Sequence, residues 1–462
     1  MLSNYSMMKN RKVATAPLLF TVSGLRGIAG KSLTLKVAAE YASAFARLTK
    51  GGKIILARDT RASGEAIKAA VAAALVSSGC EVIDIGIAPT PTVGLAVTDL
   101  KAHGAVTVTA SHNPIQWNAL KFFNRRGRYL GAGEIAEINR LLNQKRPTGG
   151  AGLNWGKVKT DSGRISAHIR KILQLSLVQK EKIRRAKFKV VIDGCNGAGY
   201  IAGPELLKAL GCKIIKINCE NTGNFPRKPE PTVKNLKVLE KKVRQVGADI
   251  GFALDPDADR LAIVSDNGKA IGEEYTLALA TDYVLGKEPG PVAVNLSTSR
   301  MVEEIARKHK CKFYRTKVGE ANVSAQLEKV GGVVGGEGNG GVILPQLHYT
   351  RDALLGMALV LSHLAQSRKT ISELVAKIPK YSMIRETLDA DGWNAKGLAN
   401  LKTRLKGAEI DTRDGVRFEF ENSWLHARKS NTEGIVRVMA EAKDKQVARN
   451  LIRLALKNLK RK

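Results

Sequence analysis

The chain has 462 residues, 44% of them hydrophobic but only 5% aromatic, with 75 Lys+Arg against 42 Asp+Glu for a formal net charge of +33. That length suits about three domains, or four small ones, with an ordinary core built mainly of Ala, Val, Ile and Leu. No apolar run reaches the ~18 residues of a membrane-crossing helix, which excludes a membrane partner of that kind.

In chain order, "APLLFTV" (16–22) is too short, and followed too soon by Arg26, to be a secretory signal, so a cytoplasmic protein is expected. "GLRGIAGKS" (24–32) imitates a phosphate-binding loop but has five residues between Gly24 and Gly30 where the motif needs four. Arg26 is left as a candidate anion ligand. "KIILARD" (53–59) predicts a strand and 63–78 an Ala-rich helix capped by Ser63. "EVIDIG" predicts a strand, "PTVGLAVTDL" a helix and "GAVTVTA" a further strand. Strands alternating with helices imply a largely parallel sheet. "RPTGGAGLNWGK" (146–157) has the composition of a linker, and the alternation restarts at 188 and again at 291. The five cysteines, none in a C-x-x-C pair, fit reduced thiols better than a disulfide framework or a zinc site.

Three segments repeat as strand, polar loop, strand: "GAVTVTASHNPIQWNALKFF", "ADIGFALDPDADRLAIVSD" and "GGVVGGEGNGGVILP". Each follows a helix expected to end near Gly104, Gly247 or Gly332. In the first, "TASHNP" (109–114) exposes Ser111 and His112, which could form a simple turn or a reactive site. In the second, Asp255, Asp257 and Asp259 alternate around a Pro-stiffened turn between apolar strands. Three carboxylates so close repel unless a cation joins them, and hard oxygen donors suit Mg²⁺. The third offers Glu337 and Asn339, partners for sugar hydroxyls. Beyond about residue 378 the chain reads as a separate α+β domain. Its "RKSNTEGIVRV" (428–438) gathers Arg428, Ser430, Asn431 and Thr432, a cradle for phosphate oxygens. The basic excess suits solvated helix faces, nucleic acid, or in part an anionic small substrate.

The order "SGLRG", "TASHNP", "DPDADR", "GEGNGG", "RKSNTEGIVR", spanning residues 23 to 438, resembles the α-D-phosphohexomutase family. The resemblance implies three similar mixed α/β domains (1–157, 158–266, 267–377) and a C-terminal α+β domain (378–462) around a central cleft. It implies interconversion of hexose 6-phosphate and hexose 1-phosphate through a phosphoserine at Ser111 and a bisphosphate intermediate. One Mg²⁺ would be held by Asp255, Asp257, Asp259 and the phosphoserine. Arg26, His112, Lys121 and Arg260 would assist near the phosphoserine, Glu337 and Asn339 would read the sugar, and Arg428, Ser430, Asn431, Thr432 and Arg437 would grip the non-reacting phosphate. Hexose 1,6-bisphosphate would act as activator, on a monomer or homodimer. "GEGNGG" with "HYTRDAL" resembles the archaeal-type phosphoglucosamine mutase branch, which makes glucosamine 6-phosphate the expected substrate and mannose or glucose phosphates the alternative. A nucleic-acid-binding protein on the same scaffold is the alternative of another class. Many family members carry a histidine where this chain has Gly341, and His348 is the nearby candidate to replace it.

Overall fold

A computed structural model describes residues 18–22, 24–144, 155–389, 393–430 and 434–459. The first sheet has seven strands: β1 Leu18–Thr21, β2 Gly24–Ile28, β3 Lys53–Arg58, β4 Glu81–Ile87, β5 Gly104–Val108, β6 Trp117–Asn124 and β7 Lys157–Thr160, in the order β1-β2-β6-β5-β3-β4-β7. Strand β3 is buried on both faces. Ile54 and Leu56 enter one core while Ile55 and Ala57 enter the other. This is why "KIILA" is a continuous apolar run rather than an alternating one. Strand β7 pairs with β4, so the first sheet runs past residue 157.

The second sheet comprises β8 Lys189–Asp193, β9 Lys213–Ile217, β10 Ile250–Leu254 and β11 Leu261–Val264, ordered β11-β10-β8-β9. The third comprises β12 Val292–Asn295, β13 Phe313–Thr316, β14 Val334–Glu337 and β15 Gly341–Ile343, ordered β13-β12-β14-β15. The internal repeat is therefore physical. In each of the three sheets two neighbouring parallel strands are joined by a third, and a hairpin turns back antiparallel from that third strand. The hairpin loop is the polar one in every case: 109–116, 255–260 and 338–340. These loops leave the carboxyl ends of parallel strands, where ligands gather in α/β sheets.

Two expected punctuation marks differ. Gly104 opens β5; the preceding helix, Thr90–Asp99, is followed by Lys101 at φ +48°. Gly331 (φ +59°), rather than Gly332, caps the helix Glu320–Val330, whereas Gly247 caps Lys237–Val246 as expected. Ser63 precedes the helix Gly64–Ser77 but makes no capping bond, because its Oγ accepts from Asn118 Nδ2 at 3.0 Å.

The second and third sheets share one large core, in which Ile192 and Phe252 belong to the same cluster as Leu277, Val294 and Leu354. The C-terminal sheet is wholly antiparallel: β16 Ser382–Asp389, β17 Glu409–Asp411, β18 Val416–Glu419, β19 Ser423–Lys429 and β20 Ile435–Ala442, ordered β16-β20-β19-β18-β17. The helix Lys445–Leu459 buries Ala448, Ile452 and Ala455 against it. All five cysteines are free thiols. Among the described residues no helix is long and apolar enough to cross a membrane.

Candidate active site

The loops of the three sheets and of the C-terminal domain meet around a cleft of about 870 Å³. Ser111, Lys121, Glu337, Asn339, Arg428 and Arg437 all line it, a size that suits a small organic ligand.

Ser111 is buried and sits at φ +49°, a region costly to any residue with a Cβ. Its N–H donates to Thr109 Oγ1 (3.0 Å), and its carbonyl accepts from Arg61 Nη2 (2.6 Å). Held this way, Ser111 Oγ donates to Asp255 Oδ2 at 2.8 Å, with His112 Nδ1 at 3.3 Å. Burial, and then the cationic neighbours Arg260, Arg26, Arg437 and Arg351, push the His112 imidazole well below its usual range, so the ring is neutral. Arg26 donates to Asn113 Oδ1 at 2.5 Å, and burial lowers its guanidinium to about 10.

The three aspartates are buried, and an oxygen from each lies within 4.8 Å of the others. Asp255 Oδ1 accepts the N–H groups of Asp259 and Arg260 (both 3.1 Å), which curl the loop round it. Asp257 Oδ2 accepts from Thr90 Oγ1 (2.5 Å) and Lys121 Nζ (2.6 Å). Thr90 opens the helix Thr90–Asp99, so this bond and Thr90 N–H to the Asp257 carbonyl (2.9 Å) dock the first unit on the loop of the second. Asp259 Oδ2 accepts from Arg351 Nη2 (2.5 Å). Burial, with Asp259 and Asp257 alongside, pushes the Asp255 carboxyl well above the usual carboxylate range. Burial would raise Asp257 too, but Lys121 and Thr90 outweigh it and hold it below that range. Asp257 Oδ1 and Asp259 Oδ1 are buried and make no hydrogen bond. Buried carboxylate oxygens seldom stay unpartnered, and two of them beside Asp255 form an all-oxygen donor set that fits a hard divalent cation.

Glu337 accepts from Asn295 Nδ2 (2.7 Å), Gly319 N–H (3.1 Å) and the Arg351 guanidinium, and Asn339 Nδ2 approaches it at 3.4 Å. Arg351 escaped detection in the sequence. It joins Asp259, Glu337 and Glu320 (Nε to Oε2, 2.9 Å) and so ties the aspartate loop to the 338–340 loop. A Cβ on Gly341 would lie 2.2 Å from Arg351 Cδ, so Arg351 occupies the space a side chain at 341 would need. His348 does not substitute there. Its Nδ1 accepts from Thr350 N–H, its Nε2 donates to Asp352, and it is not among the residues lining the cleft.

In the C-terminal domain Arg428 is buried. Its Nε donates to Asp414 Oδ2 (3.2 Å) while its Nη2 makes no hydrogen bond. Ser430 N–H closes the loop on the Ile435 carbonyl (2.8 Å). Asn431 and Thr432 lie outside the described residues. Arg260 reaches across to Glu230 (3.2 Å). Arg26, Lys121, Arg260, Arg351, Arg385, Arg428 and Arg437 all line the cleft, so part of the basic excess faces an anion-sized space.

Glu274, which also escaped the sequence reading, lines the cleft behind Gly338 and accepts from Ser299 N–H (3.0 Å) and Arg385 Nη2 (2.8 Å). Burial pushes its carboxyl up to about 8, against the pull of Arg385. A carboxyl raised on folding stabilises the fold fully below its unfolded value, and that stability is lost as pH rises through the folded one. The contribution of Glu274 to thermal stability is therefore expected to fall between about pH 5 and pH 8, so that the stabilities of wild type and Glu274→Gln should change relative to one another across that range in differential scanning calorimetry.

Comparison with known proteins agrees with this fold. Residues 17–148, 166–268 and 272–381 match the alpha/beta/alpha domains I, II and III described for phosphoglucomutase/phosphomannomutase, and residues 373–454 match its C-terminal domain. The "probable phosphoglucosamine mutase" of Methanopyrus kandleri is 37% identical over 440 residues, covering 94% of this chain and 95% of that protein. The "phosphoglucomutase/phosphomannomutase" of Thermococcus kodakarensis is 36% identical over 450 residues, covering 96% and 98%. A solved phosphoglucomutase/phosphomannomutase family protein from Burkholderia thailandensis superposes with a TM-score of 0.81 at 27% identity, over 96% of this chain and 98% of that one.

Proposed function

This chain belongs to the phosphoglucomutase/phosphomannomutase family, the α-D-phosphohexomutases, and from that premise we propose that it interconverts glucosamine 6-phosphate and glucosamine 1-phosphate with Ser111 as phosphoryl carrier. The single observation that carries the carrier role is Ser111 Oγ held 2.8 Å from Asp255, inside a cationic cleft. The amino sugar is favoured by the name of the Methanopyrus kandleri relative and by "GEGNGG" with "HYTRDAL". The Thermococcus kodakarensis relative carries the names of the glucose and mannose activities, which are the second reading.

Asp255, Asp257 and Asp259 would hold Mg²⁺ through the oxygens described above. When bound, the ion supplies positive charge against which the phosphoryl group in transit is neutralised. The chain's own residues do the rest. Arg26 and Arg260 border the phosphoserine and offset its charge. When phosphate returns to Ser111, neutral His112, 3.3 Å from its Oγ, is placed to take the hydroxyl proton and Lys121 to donate one to the leaving sugar oxygen; transfer to the sugar runs the same two proton moves in reverse. Glu337 and Asn339 accept from and donate to sugar hydroxyls. The free Nη2 of Arg428 is available to a phosphate oxygen at the far wall, with Ser430 and Arg437 beside it. The unaltered phosphate stays there while the other reacts. The bisphosphate must then turn end for end, so the same residues serve both orientations, and free hexose 1,6-bisphosphate would recharge a dephosphorylated Ser111.

A coupled assay with glucose 1,6-bisphosphate present tests the choice of sugar. The highest kcat/KM is expected with glucosamine 6-phosphate, and a higher value for mannose or glucose 6-phosphate would reassign the substrate. Arg428→Lys keeps the charge but loses the planar fork. A charge-assisted hydrogen bond is worth about 1.5–3 kcal/mol, so kcat/KM is expected to fall by about ten- to a hundredfold. Steady-state kinetics in both directions check this, and the two directions should fall by similar factors.

A further inference from the structure

We infer that Asp59, Arg61 and Thr109 form a positioning clamp that fixes Ser111 in its left-handed conformation for phosphoryl transfer. Resting on the Ser111 assignment above, the clamp adds Asp59 and Arg61, which lie outside the site motifs, and gives Thr109 of "TASHNP" a role. All three side chains are buried. Arg61 spends its whole guanidinium on the serine loop and its anchor. Nη2 donates to the carbonyls of Ser111 (2.6 Å) and Asn113 (2.8 Å), Nη1 to those of Pro114 (2.8 Å) and Trp117 (3.0 Å), and Nε to Asp59 Oδ2 (3.0 Å). Asp59 Oδ2 also accepts from Thr109 Oγ1 (2.7 Å), whose oxygen in turn accepts the Ser111 N–H. Both backbone groups of Ser111 thus lead back to one carboxylate, the N–H through Thr109 and the carbonyl through Arg61.

A left-handed serine is unfavourable on its own and persists only where its surroundings fix it. Without Arg61 the buried carbonyls of Ser111 and Asn113 would lose their donor, and the loop would relax. The clamp also reaches the unit that carries the aspartates. Thr60 Oγ1 donates to the Asn196 carbonyl at 2.5 Å, and the Arg61 guanidinium lies 4.8 Å from the centre of the Phe225 ring. Residues 59–61 therefore tie the serine loop to the neighbouring unit. None of the three lines the cleft, so they act through Ser111 rather than on substrate.

The test is rapid-quench transfer of labelled phosphate from glucose 1,6-bisphosphate to dephosphorylated Ser111, with KM for the hexose phosphate measured alongside. Thr109→Val is isosteric but loses both the donor to Asp59 and the acceptor for Ser111 N–H; it should slow transfer by on the order of a hundredfold, as a small misplacement of a reacting group does. Its KM should stay within about twofold, since phosphate and sugar contacts are untouched. Thr109→Ser should restore most of the rate, and Arg61→Lys, which cannot serve four carbonyls, should be slow like Thr109→Val. A merely structural role would lower the melting temperature without separating rate from KM. Wild-type transfer in Thr109→Val, no rescue by Thr109→Ser, or equal changes in rate and KM would each overturn the clamp. Absence of label on Ser111 in the wild type would instead overturn the carrier assignment and remove the step the clamp serves.

Discussion

Ser111→Ala is expected to abolish mutase activity, by about 10⁴-fold or more, the scale seen when a covalent serine is removed. The loss is chemical and not structural. Alanine meets the same left-handed backbone as serine, so the strain at φ +49° is common to both. The change removes two hydrogen bonds, Oγ to Asp255 at 2.8 Å and Oγ to His112 Nδ1 at 3.3 Å, each worth about 1 kcal/mol net. For domains of this size that lowers the melting temperature by only about 4–8 °C. Activity and stability should therefore separate cleanly when the same preparation is assayed and melted. The variant should still bind hexose phosphate, because the wall formed by the cationic Arg428 and Arg437 with Ser430 is intact.

Asp257→Asn should give the second largest loss, on the order of a hundredfold in kcat, or about 2.7 kcal/mol of transition-state stabilisation. One anionic oxygen of the triad becomes neutral, and Lys121 loses the carboxylate it meets at 2.6 Å. A readout independent of activity follows from linkage. An ion that binds only the folded protein stabilises it by about 2.7 kcal/mol at a hundredfold excess over Kd. Wild type should melt higher with Mg²⁺ than after EDTA treatment, and Asp257→Asn should show a much smaller rise. Equal shifts in the two proteins would remove Asp257 from the metal site.

The parts of this site that were legible in the sequence are those whose signal is local. Each of the three hairpin loops lies between two short apolar strands, so Ser111, the three aspartates and Glu337 stood out as polar residues in apolar company. The repeat was legible for the same reason, since a strand–loop–strand pattern survives in every unit. What stayed hidden depends on contacts across long stretches of chain. Arg351 precedes the helix cap Asp352 and looks like part of a helix start, yet it serves Asp259, 92 residues away. Arg61 lies in a loop opening a helix, and its partners at Ser111 to Trp117 are more than 49 residues on. Gly341 looks like a missing functional group in the sequence, because nothing local shows that Arg351, ten residues on, fills the space beside it. Ser63 misled because serine before a helix usually caps it, whereas here its oxygen is engaged by Asn118.

Whether the phosphoryl group rests on Ser111 between turnovers can be measured directly. Wild-type enzyme is charged with labelled glucose 1,6-bisphosphate, freed of small molecules, mixed with glucosamine 6-phosphate and quenched over time, with peptide mass spectrometry locating the phosphate. One phosphate is expected on the peptide containing Ser111, released to the sugar at least as fast as kcat. A phosphate on any other residue, or a Ser111 phosphate that leaves more slowly than turnover, would contradict Ser111 as the phosphoryl carrier.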